Sequence, residues 1–214
     1  MMRRIASGGD IAEGLAWLIG VEPRFESMAR AAGSIPLRRA EGGFAGLTQV
    51  IVSQQVSVAS ARAIWGRIAA RYPDLAHRHV RDASENDLRG CGLSGPKIRA
   101  LRALADAVHE GRLDLDALER APPEEVRARM TAVKGVGPWT ADIYLLFHLG
   151  HADAFAPGDL ALQEALRMGF GLPARPAAAE LARIAADWSP WRGVAARLLW
   201  AYYAAAKARE GAPL

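Results

Sequence analysis

Pro157-Gly158-Asp159 runs directly into Leu160-Ala161-Leu162-Gln163-Glu164, which puts a carboxylate where a helix begins. An aspartate there accepts the first backbone amides of the helix, a cap worth about 1 kcal/mol. Read alone, the stretch supports only that cap. Two other acids lie near: Asp153 stands before the Pro-Gly turn, and Asp142 falls within a helical stretch. A second group is Lys134-Gly135-Val136-Gly137. Its glycines let the backbone turn tightly between two helices. The unpaired amides that open the next helix then suit a phosphate. The same residues serve equally as a plain turn. A third feature is Trp200. Trp191, Val194, Ala195, Leu198, Leu199 and Tyr202 make one apolar stripe on the last helix. Trp200 lies about 200° round the helix from Leu198. An indole so placed either packs against a second lobe or lines a cleft. Gln54-Gln55 closes an earlier helix and reads as a polar helix terminus.

The elements that must position these residues are helices. Apolar residues recur at helical spacing and nowhere alternate at the period of a strand. Phe44, Leu47, Val50 and Ile51 form one stripe; Val58, Ala61, Ile64, Trp65 and Ile68 another. Ile98, Leu101, Ala105 and Val108 follow, then Trp139, Ile143, Leu146 and Phe147. Stop signals separate them at Tyr72-Pro73, Gly90-Cys91-Gly92, Pro122-Pro123, Gly135-Val136-Gly137, Pro157-Gly158 and Ser189-Pro190. The pattern predicts about ten to twelve short helices and an all-α chain.

Composition narrows the function classes. With 51% hydrophobic and 23% charged residues among 214, the chain can build a core, and a disordered chain is not expected. No apolar run reaches the roughly 18–20 residues of a membrane helix, and Met1-Met2-Arg3-Arg4 leads into no secretory signal. The net charge of +4 permits an anionic partner without establishing one. A single cysteine, Cys91, excludes an internal disulfide framework, a Cys-type zinc site and a four-Cys iron–sulfur cluster, and fits a reducing cytoplasm.

Val133-Lys134-Gly135-Val136-Gly137-Pro138-Trp139-Thr140-Ala141-Asp142 resembles the hairpin of the helix-hairpin-helix DNA glycosylases. About twenty residues on, Phe155-Ala156-Pro157-Gly158-Asp159 resembles that family's Gly/Pro-rich loop with its essential aspartate. Gly46-Leu47-Thr48-Gln49-Val50-Ile51-Val52-Ser53-Gln54-Gln55-Val56-Ser57 is similar to a signature of the 3-methyladenine DNA glycosylase II branch. Trp188-Ser189-Pro190-Trp191-Arg192 and Leu199-Trp200 match its C-terminal helix, and Gly92-Leu93-Ser94 with Lys97 fits the segment between. The resemblance covers residues from about 20 to 207 in one order.

The resemblance implies two helical lobes with a cleft between them, in the short form that lacks an N-terminal β domain. It implies one domain over residues 1–214, with lobe one from 1–44 plus about 136–214 and lobe two from about 45–135. It makes Asp159 the catalytic carboxylate, facing the sugar of an extruded nucleotide. There it would stabilise the sugar cation or activate a water. Trp139, Trp200, Ile143 and Gln54 become base-pocket residues. Two indoles suit an electron-poor alkylated purine through cation–π attraction of about 0.5–2 kcal/mol. Ile143 stands where the best-known relatives carry a tyrosine. Gln55 becomes the wedge that fills the gap left by the base. Lys134, Gly135 and Gly137 become phosphate contacts. Backbone carbonyls of Thr131, Val133 and Val136 become ligands of a monovalent cation, with no other cofactor required. Lyase-type relatives carry a lysine where this chain has Trp139, so hydrolysis without lyase chemistry is expected. The expected function is excision of alkylated purines such as 3-methyladenine and 7-methylguanine from double-stranded DNA by a cytoplasmic monomer with no membrane contact. The alternative is a non-catalytic module of the same fold that binds damaged DNA.

Overall fold

The computed structural model describes residues 3–210; Met1, Met2 and residues 211–214, the ends of the expected 1–214 domain, lie outside them. Among the described residues there are thirteen α-helices, one π-helical turn, one 3₁₀ turn and no strand. Arg4 and His151 make one isolated bridge. The helix count exceeds the expected ten to twelve because short pieces lie end to end. His77–Asp82 and Glu85–Gly90 are six residues each, the second opened by a Ser84–Asp87 capping box.

The chain forms two compact units, one from the segment up to Arg39 together with Gly150 onward, the other from Ala40–Leu149. The second boundary differs from the expected one near residue 135. The helix after the hairpin packs on residues of 40–149. Ala40 also donates its amide to the Phe147 carbonyl at 3.0 Å.

The first unit contains α1 (Gly8–Val21), α2 (Arg24–Ala32), α11 (Leu160–Phe170), α12 (Ala178–Ile184) and α13 (Arg192–Glu210). α13 packs on α1, α2 and α11. It is buried on every side from Gly193 to Leu199, wider than the predicted stripe, while Tyr202 is only half-buried. α1 sits tightly on it: a Cβ at Gly14 would come within 2.7 Å of Trp191 and Val194. Phe25 meets Trp188 edge-on at 5.0 Å and Phe170 at 5.7 Å. Buried Arg197 donates to the Leu37 and Gly193 carbonyls at 3.0 and 2.9 Å, and desolvation pushes its guanidinium down to about 10.

The second unit contains α3 (Gly43–Ser53), α4 (Val58–Arg71), α5 (His77–Asp82), α6 (Glu85–Gly90), α7 (Gly95–His109), α8 (Leu115–Arg120), α9 (Pro123–Thr131) and α10 (Pro138–Ile143). α10 continues as the π turn Tyr144–His148. α3 is buried along nearly its whole length, including Gly46, Thr48 and Val52 beside the predicted stripe. α4 buries only Ile64 and Ile68 of its predicted five, and Val58 at its start is 77% exposed.

Two residues of the π turn hold the start of α3. The Tyr144 hydroxyl accepts the Gly43 amide at 3.0 Å, and burial pushes its phenol up to about 12. His148 donates from Nδ1 to the Glu41 carbonyl, since a carbonyl can only accept. Burial holds His148 below its ordinary value, the bond to Glu41 opposing that shift. The unfolded chain therefore binds a proton at His148 more readily than the folded one. The resulting stability is fully present above about pH 6.5 and is lost as pH falls below it through the folded value. Urea unfolding between about pH 6.5 and 5.5 is expected to show a shallower loss of stability for His148→Gln than for the native chain; identical slopes would contradict this.

Candidate active site

In the first unit, Asp159 is the N-cap of α11, as its place after Pro-Gly predicts. Its Oδ1 accepts the amides of Ala161 and Leu162 at 2.9 and 3.1 Å. Two further bonds pin the loop before it. The Asp159 amide donates to the Ala156 carbonyl at 3.0 Å, and buried Gln163 donates from its side chain to the Pro157 carbonyl at 2.9 Å. Sequence reasoning does not single out Gln163. Its signal is an amide side chain one turn into a helix opened by aspartate.

Trp200 reaches the same carboxylate. Its indole Nε1 donates to Asp159 Oδ1 at 3.1 Å. Asp153, the nearby alternative, is engaged elsewhere: Arg192 grips both its oxygens at 2.8 Å, and Ser189 donates to it at 2.9 Å. A carboxylate held by a guanidinium fork is neutralised as a counter-charge. Leu160, directly after Asp159, is 61% exposed.

The second unit carries the remaining expected residues. α9 starts at Pro123 with Glu124 and Glu125 in its first turn, acids that favour the positive end of the helix. The hairpin follows, and Gly137 is the N-cap residue of α10. Val133 and Val136 are buried while Lys134 and Gly135 face solvent. The Val136 amide donates to the Val133 carbonyl at 3.0 Å, closing the turn. Gly135 has φ +90°, a conformation that favours glycine, and a Cβ there would lie 2.5 Å from the Ala100 Cβ of α7. The two legs are joined by Arg127, which donates to the buried carboxylate of Asp142 at 2.5 Å. Asp142 is thus a structural acid.

Trp139 is half-buried and Ile143 is buried, at 9% exposure. Gln54 is the C-cap residue of α3 and donates through Nε2 to the Thr140 hydroxyl of α10 at 2.8 Å. Gln55 is exposed, with φ +53°, left-handed backbone for a non-glycine residue. Lys97 of α7 donates to the Val52 carbonyl at 2.5 Å, a cation at the negative end of α3. Burial pushes its ammonium below the ordinary lysine value. The helix after the hairpin therefore holds α3 at both ends, through Thr140 at one and Tyr144 with His148 at the other. In the sequence Lys97 matches only a connecting segment, and Thr140 carries no separate role.

A capped and oriented carboxylate, a glycine hairpin with an exposed lysine and a strained glutamine at a helix terminus define a recognisable class. The chain belongs to the HhH-GPD superfamily of base excision DNA repair proteins, whose family model matches residues 48–190. It is 30% identical over 160 residues to DNA-3-methyladenine glycosylase 1 of Schizosaccharomyces pombe, covering 72% of this chain and 69% of that protein. It is 32% identical over 200 residues to a probable bifunctional transcriptional activator/DNA repair enzyme AlkA of Mycobacterium tuberculosis. That match covers 88% of this chain and only 39% of the relative. The solved structure of the S. pombe 3-methyladenine DNA glycosylase Mag1 in complex with abasic DNA superposes with a TM-score of 0.81 at 27% identity. It covers 88% of this chain and 95% of that one. The all-α helix-hairpin-helix glycosylase fold expected from the sequence is the one observed. No helix among the described residues is long and apolar enough to cross a membrane.

Proposed function

We propose that this chain is a monofunctional DNA glycosylase that excises alkylated purines, such as 3-methyladenine and 7-methylguanine, from duplex DNA in base excision repair. The observation that carries the reading is Asp159, whose carboxylate is held by two helix amides and an indole in a pinned loop. Excision breaks the bond between the sugar and the purine nitrogen. The electron pair leaves with the base, and positive charge builds on the sugar. A fixed carboxylate stabilises that charge, and water adds its oxygen to the sugar and releases a proton to solvent. The names of the relatives support the substrate class.

The other residues take supporting roles in this reading. Extrusion of the base costs a few kcal/mol of unstacking and unpairing. Gln55, exposed and strained at the end of α3, fills the vacated space. Trp139, Trp200, Ile143 and Gln54 contribute to the base pocket. Lys134 and the amides about Gly135 and Gly137 hold a backbone phosphate. The carbonyls of Thr131, Val133 and Val136 hold a monovalent cation. Neutral oxygens fit a singly charged ion, although Val133 already accepts one amide. No other cofactor takes part. The protein acts as a monomer on damaged double-stranded DNA, in the cytoplasm, where buried Cys91 stays a free thiol.

Trp139 in place of a lysine supports hydrolysis without lyase chemistry. The test is a duplex bearing a single 7-methylguanine, incubated with the protein and then divided. The expected result is an intact abasic strand that breaks only on later heating in alkali, with no protein–DNA adduct trapped by borohydride. A trapped adduct overturns the monofunctional reading. Tight binding to an abasic-site duplex without action on any lesion identifies the non-catalytic module instead.

A further inference from the structure

Three N–H donors converge on one oxygen of Asp159. Ala161 and Leu162 of α11 supply two, at 2.9 and 3.1 Å, and Trp200 of α13 supplies the third, at 3.1 Å. A carboxylate oxygen presents about two lone-pair directions, so Oδ1 is filled. A helix cap alone needs only the two amides. Rotation of an aspartate about its last side-chain torsion is soft and roughly two-fold. A third donor from a different helix removes that freedom. α13 can hold that donor in place, because Leu198, Leu199 and Ala201 on either side of Trp200 are buried and α13 packs along α11.

We propose that Trp200 is a positioning residue for Asp159, its indole N–H filling Oδ1 and fixing the carboxylate plane so that Oδ2 is the oxygen that meets the sugar or its attacking water. This rests on the reading of Asp159 as the catalytic carboxylate. It assigns Trp200 a role through its N–H, separate from any contact between its ring face and the base. A preoriented charge needs no rearrangement while the bond breaks, which is where a fixed group outperforms a mobile one.

The experiment uses single-turnover release of 7-methylguanine from a defined duplex, alongside affinity for an abasic-site duplex. Two replacements of Trp200 separate the N–H from the ring. Trp200→Phe removes the donor and shortens the ring. Site-specific 3-benzothienylalanine keeps the bicyclic shape and π face and exchanges only the N–H for sulfur, so it remains informative even where the Phe variant fails to fold. Both are expected to slow release about tenfold, the scale of one hydrogen bond to a charged group, with abasic-site affinity within about twofold of native. Full release by the sulfur analogue overturns the proposal, whatever the Phe variant does. A loss of affinity with unchanged release also overturns it, since it assigns Trp200 to binding. Asp159→Asn is measured beside them. If it keeps full release, the reading of Asp159 itself fails. If it is inactive while the sulfur analogue is fully active, only the role of the N–H fails.

Discussion

Asp159→Asn is expected to lower base release by about a thousandfold, the scale on which a preorganised electrostatic group acts, while the protein folds and binds abasic DNA much as before. The substitution keeps what the fold needs. Asparagine is as good a helix cap as aspartate, and its amide oxygen can still accept the Ala161 and Leu162 amides that Oδ1 accepts now. What is lost is the charge and the second acceptor oxygen, which becomes an NH2 donor. Asp153→Asn provides the contrast within the same unit. Its carboxylate is held by Arg192 and Ser189, so release should stay within about twofold. The partly exposed ion pair should cost only about 1 kcal/mol of stability. Rates from single-turnover release and stabilities from urea unfolding, measured on both variants, check the pair. Equal losses of release in the two would remove the special place of Asp159.

Gly135→Ala is expected to destabilise the fold by about 2–5 kcal/mol and to weaken DNA binding with it. Two causes add. A residue with a Cβ is strained at φ +90°, by about 1–2 kcal/mol on the scale of left-handed backbone. The new methyl also meets α7, 2.5 Å from the Ala100 Cβ and 3.0 Å from its Cα. Overpacking of that kind costs about 1–3 kcal/mol, and Ala100 is itself buried, so it has little room to yield. The hairpin would have to lift from α7, moving Lys134 and the turn amides. Ala100→Gly in the Gly135→Ala background should restore part of the stability, because it removes the contact with Cβ but not the strain. Urea unfolding of the two single variants and the double variant tests this. A Gly135→Ala variant as stable as the native chain would show that the hairpin does not approach α7 so closely.

How much of this was legible in the sequence depended on how local the signal was. The Asp159 cap, the proline start of α9 and the glycine turn are written in consecutive residues, and each lies where the sequence predicts it. The off-stripe position of Trp200 marks it as special, but its partner lies 41 residues away on another helix. Spacing along one helix cannot name such a partner. The same holds for Gln54 with Thr140 and for Lys97 with Val52, pairs that only tertiary packing creates. The stripes understate the burial of α3 and α13 because helices packed from several sides bury more than one face. The boundary expected near residue 135 is misplaced for a related reason. α10 looks like the start of a new unit in sequence, yet Tyr144 and His148 return it to the start of α3. Nothing in the local pattern of Tyr144–His148 distinguishes a π turn from continued α-helix.

On this reading the chain removes damaged purines from DNA. The most direct measurement is chromatographic identification of the small molecules freed from methylated duplex DNA by the purified protein. Free 3-methyladenine and 7-methylguanine are expected, released faster than from protein-free DNA and about a thousandfold more slowly with Asp159→Asn. Methylated DNA that binds the protein yet yields no free base above the protein-free control would contradict this reading.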